Sequence, residues 1–288
     1  MNTSGGDMRA GAGASREALL RWLRWQVDMG VDEAIAASPR NRLAEPRRRA
    51  AAAPASSPQP RPQPRPQPAA AASPAAVPPS APDNAPAPDD CATLEEIHAA
   101  LDAMQHFPLR RTARHTVFMD GNPRARILLV GEAPGRDEDL QGKPFVGRAG
   151  QLLDRMLAAI GLDRNAEEPE RAVLITNVLF WRPPGNRKPT DAELGFCAPW
   201  LMRAMELVRP QVIVTLGGTP TQRLTGQPAG IMRLRGKWTQ VSVPGMEAPV
   251  PLLPMLHPAY LLRQPAQKRL AWRDLLALRA FLDDQHTS

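Results

Sequence analysis

Between Pro46 and Pro88 the chain carries 14 of its 33 prolines, no aromatic residue and, alanine aside, a single apolar side chain, Val77. Proline lacks a backbone N–H and fixes φ, so neither a helix interior nor a sheet ladder runs through such a stretch. With so little apolar surface to bury, the segment cannot offset the entropy of ordering itself. Its centre, residues 58–68 (PQPRPQPRPQP), favours the extended polyproline II form of a semi-rigid spacer. The expected organisation is a disordered start over 1–14, an amphipathic helical segment over 15–42, a disordered Pro/Ala-rich linker over 43–90 and one domain over 91–288. That remainder is long enough for one sizeable core.

In the N-terminal segment Ser15 can cap a helix whose Leu19, Trp22, Leu23 and Val27 share a face, with Gly30 as its stop. So short a helix is marginal in water alone, so its face must dock, either on the chain's own domain or on a protein partner. Arg21 and Arg24 interrupt the only apolar stretch near the N-terminus, which leaves no signal-peptide core, and no apolar run approaches a transmembrane length. The expectation is a soluble, cytoplasmic, monomeric protein without membrane contact. A net charge of +7 and a pI near 10.3 point to an anionic partner, nucleic acid before membrane. Two cysteines, Cys91 and Cys197, make neither a disulfide framework nor a four-cysteine metal site. Cys91 is expected just outside the domain, as a bystander.

Beyond the linker, Thr93 caps an amphipathic helix through Leu94, Ile97, Leu101 and Met104. Strand candidates then lie at 127–131, 172–176, 211–216 and 250–256, and helical patterns at 149–160, 191–208, 218–225 and about 267–282. Strands alternating with helices predict an α/β three-layer sandwich: a central, mostly parallel four-stranded sheet with helices on both faces. The carboxyl ends of parallel strands share one edge, and that edge is where such sheets bind ligands. The loops that meet there begin GEAPG at Gly131, N-V-L-F-W-R-P-P-G-N-R at Asn177, GGTP at Gly217 and HPAYLLR at His257. No G-x-S-x-G elbow and no Walker lysine accompanies them, which excludes hydrolase-fold and P-loop chemistry.

Three motifs, GEAPGRDEDLQGKPFVGRAGQLLDRML (131–157), ITNVLFWRPPGNRKP (175–189) and HPAYLLR (257–263), resemble the uracil-DNA glycosylase superfamily, most closely its type-4 enzymes. The resemblance implies a monofunctional repair enzyme that flips uracil out of DNA and hydrolyses its glycosidic bond, leaving an abasic site. It implies that Phe145 stacks on the base, Asn177 reads its edge, and Gly131 and Ala133 border it. His257 would donate to uracil O2 as charge develops there. Glu132 or Glu138 would stabilise the sugar cation and position water, while one of the two holds the loop in shape. The position that carries the water-positioning aspartate in better-known relatives is Ala133 here. Arg182, Arg187, Lys188 and Arg263, with Arg233, Arg235, Lys237, Lys268 and Arg269 nearby, would grip phosphates. Leu261 and Leu262 are candidates for the wedge that fills the gap left by a flipped base.

Type-4 enzymes carry an iron–sulfur cluster on four cysteines. Three of those positions read Met104, Phe107 and Trp181 here and only Cys197 remains, so no metal and no cofactor is expected, with apolar packing in the cluster's place. Two other readings fit the same fold: a non-catalytic DNA-binding or recruiting module, and a glycosylase for another deaminated base.

Overall fold

The computed structural model describes residues 86–285; the N-terminal helical segment and the linker up to residue 85 lie outside the described residues. Cys91 is buried, not peripheral: it packs in the core cluster, and Arg203 Nε donates to its carbonyl oxygen at 2.9 Å. Thr93 then accepts from the Glu96 backbone N–H at 3.1 Å while the Glu96 carboxylate reaches back, a capping box that starts α1 (Leu94–Ala103). A proline opens α2 (Pro108–Thr112), where its missing N–H is no loss.

Further along come β1 (Met119–Gly121), β2 (Ile127–Gly131), α3 (Arg136–Gln141), α4 (Arg148–Ala158) and β3 (Val173–Asn177). Thr190 caps the long α5 (Asp191–Val208), which leads into β4 (Val212–Leu216) and α6 (Gly218–Thr225). The chain closes with α7 (Ile231–Leu234), β5 (Thr239–Val241), β6 (Val250–Met255), α8 (Pro258–Arg263) and α9 (Lys268–Asp284).

The strands form one sheet in the order β1-β3-β2-β4-β6-β5. The four expected strands are its parallel centre, with Ile127 opposite both Val173 and Val212 and Ile213 opposite Leu252. The sheet has six strands rather than four, because β1 and β5 add antiparallel edges. Each is three residues long, too short to show a period of two.

The central strands are apolar without alternation, as strands covered on both faces must be. Leu128, Val130, Leu174, Ile213 and Leu252 pack on Ile97 and Leu101 of α1 and Leu201 and Met205 of α5. Their neighbours Ile127, Leu129, Val173, Ile175, Val212 and Val214 face the other way, onto Leu153 and Leu157 of α4 and Leu275 and Leu278 of α9. Helices on both faces make the three-layer α/β sandwich. No helix among the described residues is long and apolar enough to cross a membrane.

Candidate active site

The parallel register brings β2 to its end at Gly131 beside the end of β3 at Asn177. Backbone bonds carry the pairing further, from Val178 N–H to Gly131 O (2.9 Å) and from Gly217 N–H to Met255 O (2.9 Å). The four loops therefore leave one edge together.

Gly131 is the point of closest approach. A Cβ there would stand 2.4 Å from Asn177 Oδ1 and 2.5 Å from Phe145 Cε2, so only glycine lets the amide and the ring settle against the backbone. Asn177 ends β3 and is 2% exposed. Phe145 is buried with φ 54°, a left-handed backbone that costs a non-glycine residue about 1–2 kcal/mol. Its ring lies 5.5 Å from that of His257, the planes at 31°.

His257 precedes Pro258 and caps α8: its Nδ1 accepts the Ala259 N–H at 3.1 Å. An acceptor at Nδ1 leaves the proton on Nε2 in the neutral ring. Burial is the main cause that pushes its pKa down to about 4; Arg263 adds to this, and the Glu138 charge opposes it. At neutral pH the side chain is an uncharged N–H donor, not a cation.

The two carboxylates differ in employment. Glu138 accepts three backbone N–H groups, from Gly135 at 3.1 Å and from Val146 and Gly147 at 3.0 Å each. It ties the GEAPG turn to the loop that presents Phe145. Glu132 accepts one hydrogen bond, from the Thr219 hydroxyl at 2.7 Å, at the start of α6. It lines an open cleft of about 660 Å³ with Ala133, Gly217, His257, Lys188 and Arg263. Phe145 and Asn177 are not among the residues of its wall. Thr219 was not anticipated, although it follows the glycines at the end of β4, where a strand-end loop invites attention.

The expected basic residues divide. Lys188 and Arg263 line the cleft, and neither makes an ion pair to a described residue. Arg187 also lines it but is held by the Glu193 carboxylate, Nη1 to Oε2 at 2.9 Å, and Arg182 Nε donates to Asn186 Oδ1 at 2.7 Å. Arg235 is not a free phosphate ligand: it is paired to the buried Asp274 and donates to Leu270 O at 3.0 Å. Leu261 requires a correction. It is 0% exposed, in a cluster with Leu152, Leu256 and Ala271, because α8 turns it into the core, so it cannot enter a duplex. Leu262 is only half-buried beside that cluster, and the exposed apolar side chain on the cleft rim is Met232.

At the four positions where type-4 enzymes hold a cluster, Met104, Phe107, Trp181 and Cys197 are all buried. Phe107 lies between Phe196 (4.2 Å, stacked) and Trp181 (4.9 Å), and Trp181 Nε1 donates to Thr116 Oγ1 at 3.0 Å. Burial pushes the Cys197 thiol up to about 12, so it is not a thiolate. The chain's two cysteines cannot supply four thiolates, and no three His, Cys, Asp or Glu among the described residues gather as a metal site. These residues do not fit an iron–sulfur cluster.

The chain belongs to the uracil DNA glycosylase superfamily, whose family model matches residues 118–276. Within that superfamily it is similar to the type-4 uracil-DNA glycosylase of Archaeoglobus fulgidus, 42% identical over 177 residues, 60% of this chain and 85% of the relative. The type-4 enzyme of Thermotoga maritima is 36% identical over 178 residues, 61% and 87% of the two chains. A type-5 uracil-DNA glycosylase of Mycobacterium leprae is 33% identical over 150 residues, 48% and 65% of the two chains.

Proposed function

We propose that the chain is a uracil-DNA glycosylase that takes uracil out of the DNA stack and hydrolyses its bond to deoxyribose without cutting the strand. The observation that carries this is the convergence of the Phe145 ring and the Asn177 amide on Gly131, with the neutral His257 ring 5.5 Å from Phe145. In this reading Phe145 gives the flipped base a face to stack on. The Asn177 carbonyl accepts from uracil N3–H while its NH₂ donates to O4. Cytosine presents the reverse pattern, which leaves buried groups unpaired, and that penalty is what makes such a site selective.

When the C1′–N1 bond breaks, its electron pair stays on uracil and accumulates at O2, and the sugar becomes an oxocarbenium ion. His257 Nε2–H donates to O2. A neutral donor suffices, since a preorganised hydrogen bond stabilises charge that exists only in the transition state. Glu132 is the carboxylate with capacity to spare: it steadies the sugar cation and accepts a proton as water adds to C1′. Glu138, saturated by backbone donors, acts by holding the loops. Lys188 and Arg263 hold phosphates. The chain works without an iron–sulfur cluster, the aromatic packing around Trp181 standing in for its structural role.

The test is release of free uracil by the full chain from single- and double-stranded oligonucleotides carrying one uracil, with His257→Ala and Asn177→Asp alongside. Uracil release, an alkali-labile but unbroken strand, and losses in both variants are expected. Binding of the DNA with no release at stoichiometric protein would overturn the enzymatic reading in favour of a recruiting module.

A further inference from the structure

Arg164 lies in the connection between α4 and β3, between the first two motifs and part of neither, and is 8% exposed. Its guanidinium is fully engaged. Nη1 donates to Pro144 O and Nη2 to Phe145 O, both at 2.9 Å. Nε donates to Asp154 Oδ1 at 2.8 Å, Nη2 lies 2.7 Å from the same oxygen, and Nη1 lies 3.2 Å from Asp120 Oδ2. Asp120 also pairs with Lys143 Nζ at 3.1 Å, so the network brackets the Lys143-Pro144-Phe145 turn.

Two successive carbonyls aimed at one cation is the outcome of the left-handed backbone at Phe145, φ 54°. A Cβ at Gly150 would fall 1.8 Å from Phe145 O, so the first turn of α4 also closes against that carbonyl. The Phe145 backbone is thus held by Arg164 and by the start of α4 in a conformation a free chain would leave. A planar fork of five N–H donors can reach two carbonyls and two carboxylates at once; the single ammonium of lysine cannot.

We propose that Arg164 is a positioning residue, whose buried guanidinium, braced by Asp154 and Asp120, fixes the Pro144 and Phe145 carbonyls and through them the ring that faces the base. The proposal rests on the reading of Phe145 as the stacking surface. It also gives the edge strand β1 a purpose, since Asp120 stands on it.

A double-mutant cycle tests it. Single-turnover uracil release is measured, with melting temperatures, for wild type, Arg164→Lys, Phe145→Ala and the double variant. Misplacing a positioned group by about 1 Å costs about 10²-fold in rate. Arg164→Lys is therefore expected to slow release by about that factor in the wild-type background while remaining folded, and by less than about twofold in Phe145→Ala. Multiplying losses, or a wild-type rate for Arg164→Lys, overturns the proposal and leaves the glycosylase reading standing. Absence of release by wild type removes both. If Arg164→Lys does not fold, Asp154→Asn takes its place. Slowing confined to the background that keeps Phe145 supports the proposal, and equal slowing in both refutes it.

Discussion

Alanine at Gly131 is the smallest change that presses on both base-facing groups together. Its Cβ would arrive 2.4 Å from Asn177 Oδ1 and 2.5 Å from Phe145 Cε2, where ordinary contact begins at 3.4 Å, so the ring must withdraw by about 0.9 Å and the amide by a similar distance. A shift of about 1 Å in a positioned group is worth about 10²-fold in rate, or about 2.7 kcal/mol of transition-state stabilisation. Both obstacles are side chains rather than backbone, so the fold gives locally, with an overpacking cost of about 1–3 kcal/mol. The assay is single-turnover uracil release beside a thermal melt. Gly195→Ala is the control: it lies on α5 with nothing within 4 Å of its Cβ, and is expected to melt higher with an unchanged rate. A Gly131→Ala protein that releases uracil at the wild-type rate, or loses rate only as it unfolds, would show that Phe145 and Asn177 do not meet the base.

Glu132→Gln is expected to leave the melting temperature nearly unchanged and slow release by 10²-fold or more, a general-base-sized loss. Glu138→Gln, which turns an NH₂ toward backbone donors, is expected to melt lower, with a rate loss that follows; the opposite split would exchange the two roles. His257 has a folded pKa of about 4 against an ordinary 6.5. Between those values the unfolded chain binds a proton that the folded chain does not. The group's contribution to stability is therefore complete above about pH 6.5 and declines as pH falls toward 4. Single-turnover rates from pH 8 to 6 should show no inflection at the ordinary imidazole value, and urea midpoints of wild type should fall more steeply below pH 6.5 than those of His257→Gln. Trp181→Ala empties a fully buried site between Phe107 and Phe180 and is expected to destabilise by about 3–5 kcal/mol, read by urea unfolding.

The parallel core was legible because burial on both faces leaves unbroken apolar runs such as ILLV at 127–130 and VIV at 212–214. The edge strands were not, because Met119-Asp120-Gly121 and Thr239-Gln240-Val241 are strands only by virtue of the neighbour each pairs with. Helices α3 and α8, six residues each, are too short to display a period. The candidate pocket was legible as residue types at strand ends, since Gly131, Asn177 and His257 follow directly from the positions of β2, β3 and β6. What each side chain does was less so. HPAYLLR offers two leucines, and only the rotation of α8 decides that Leu261 faces the core. Glu138 and Glu132 look alike in sequence; their difference lies in the N–H groups of Val146 and Gly147, eight and nine residues after Glu138. Arg164 makes its contacts 10 to 44 residues away, and no local pattern announces them.

In the proposed reading the Asn177 amide reads the base edge while the site hydrolyses its bond to the sugar. The most direct measurement is single-turnover release of uracil and of cytosine from matched oligonucleotides by wild type and Asn177→Asp. Wild type is expected to release uracil and no cytosine. Asn177→Asp is expected to release uracil at least about 10²-fold more slowly, with the uracil-over-cytosine preference collapsing, because a carboxylate has no N–H for O4. Undiminished uracil release by Asn177→Asp, with its preference over cytosine intact, would contradict that reading.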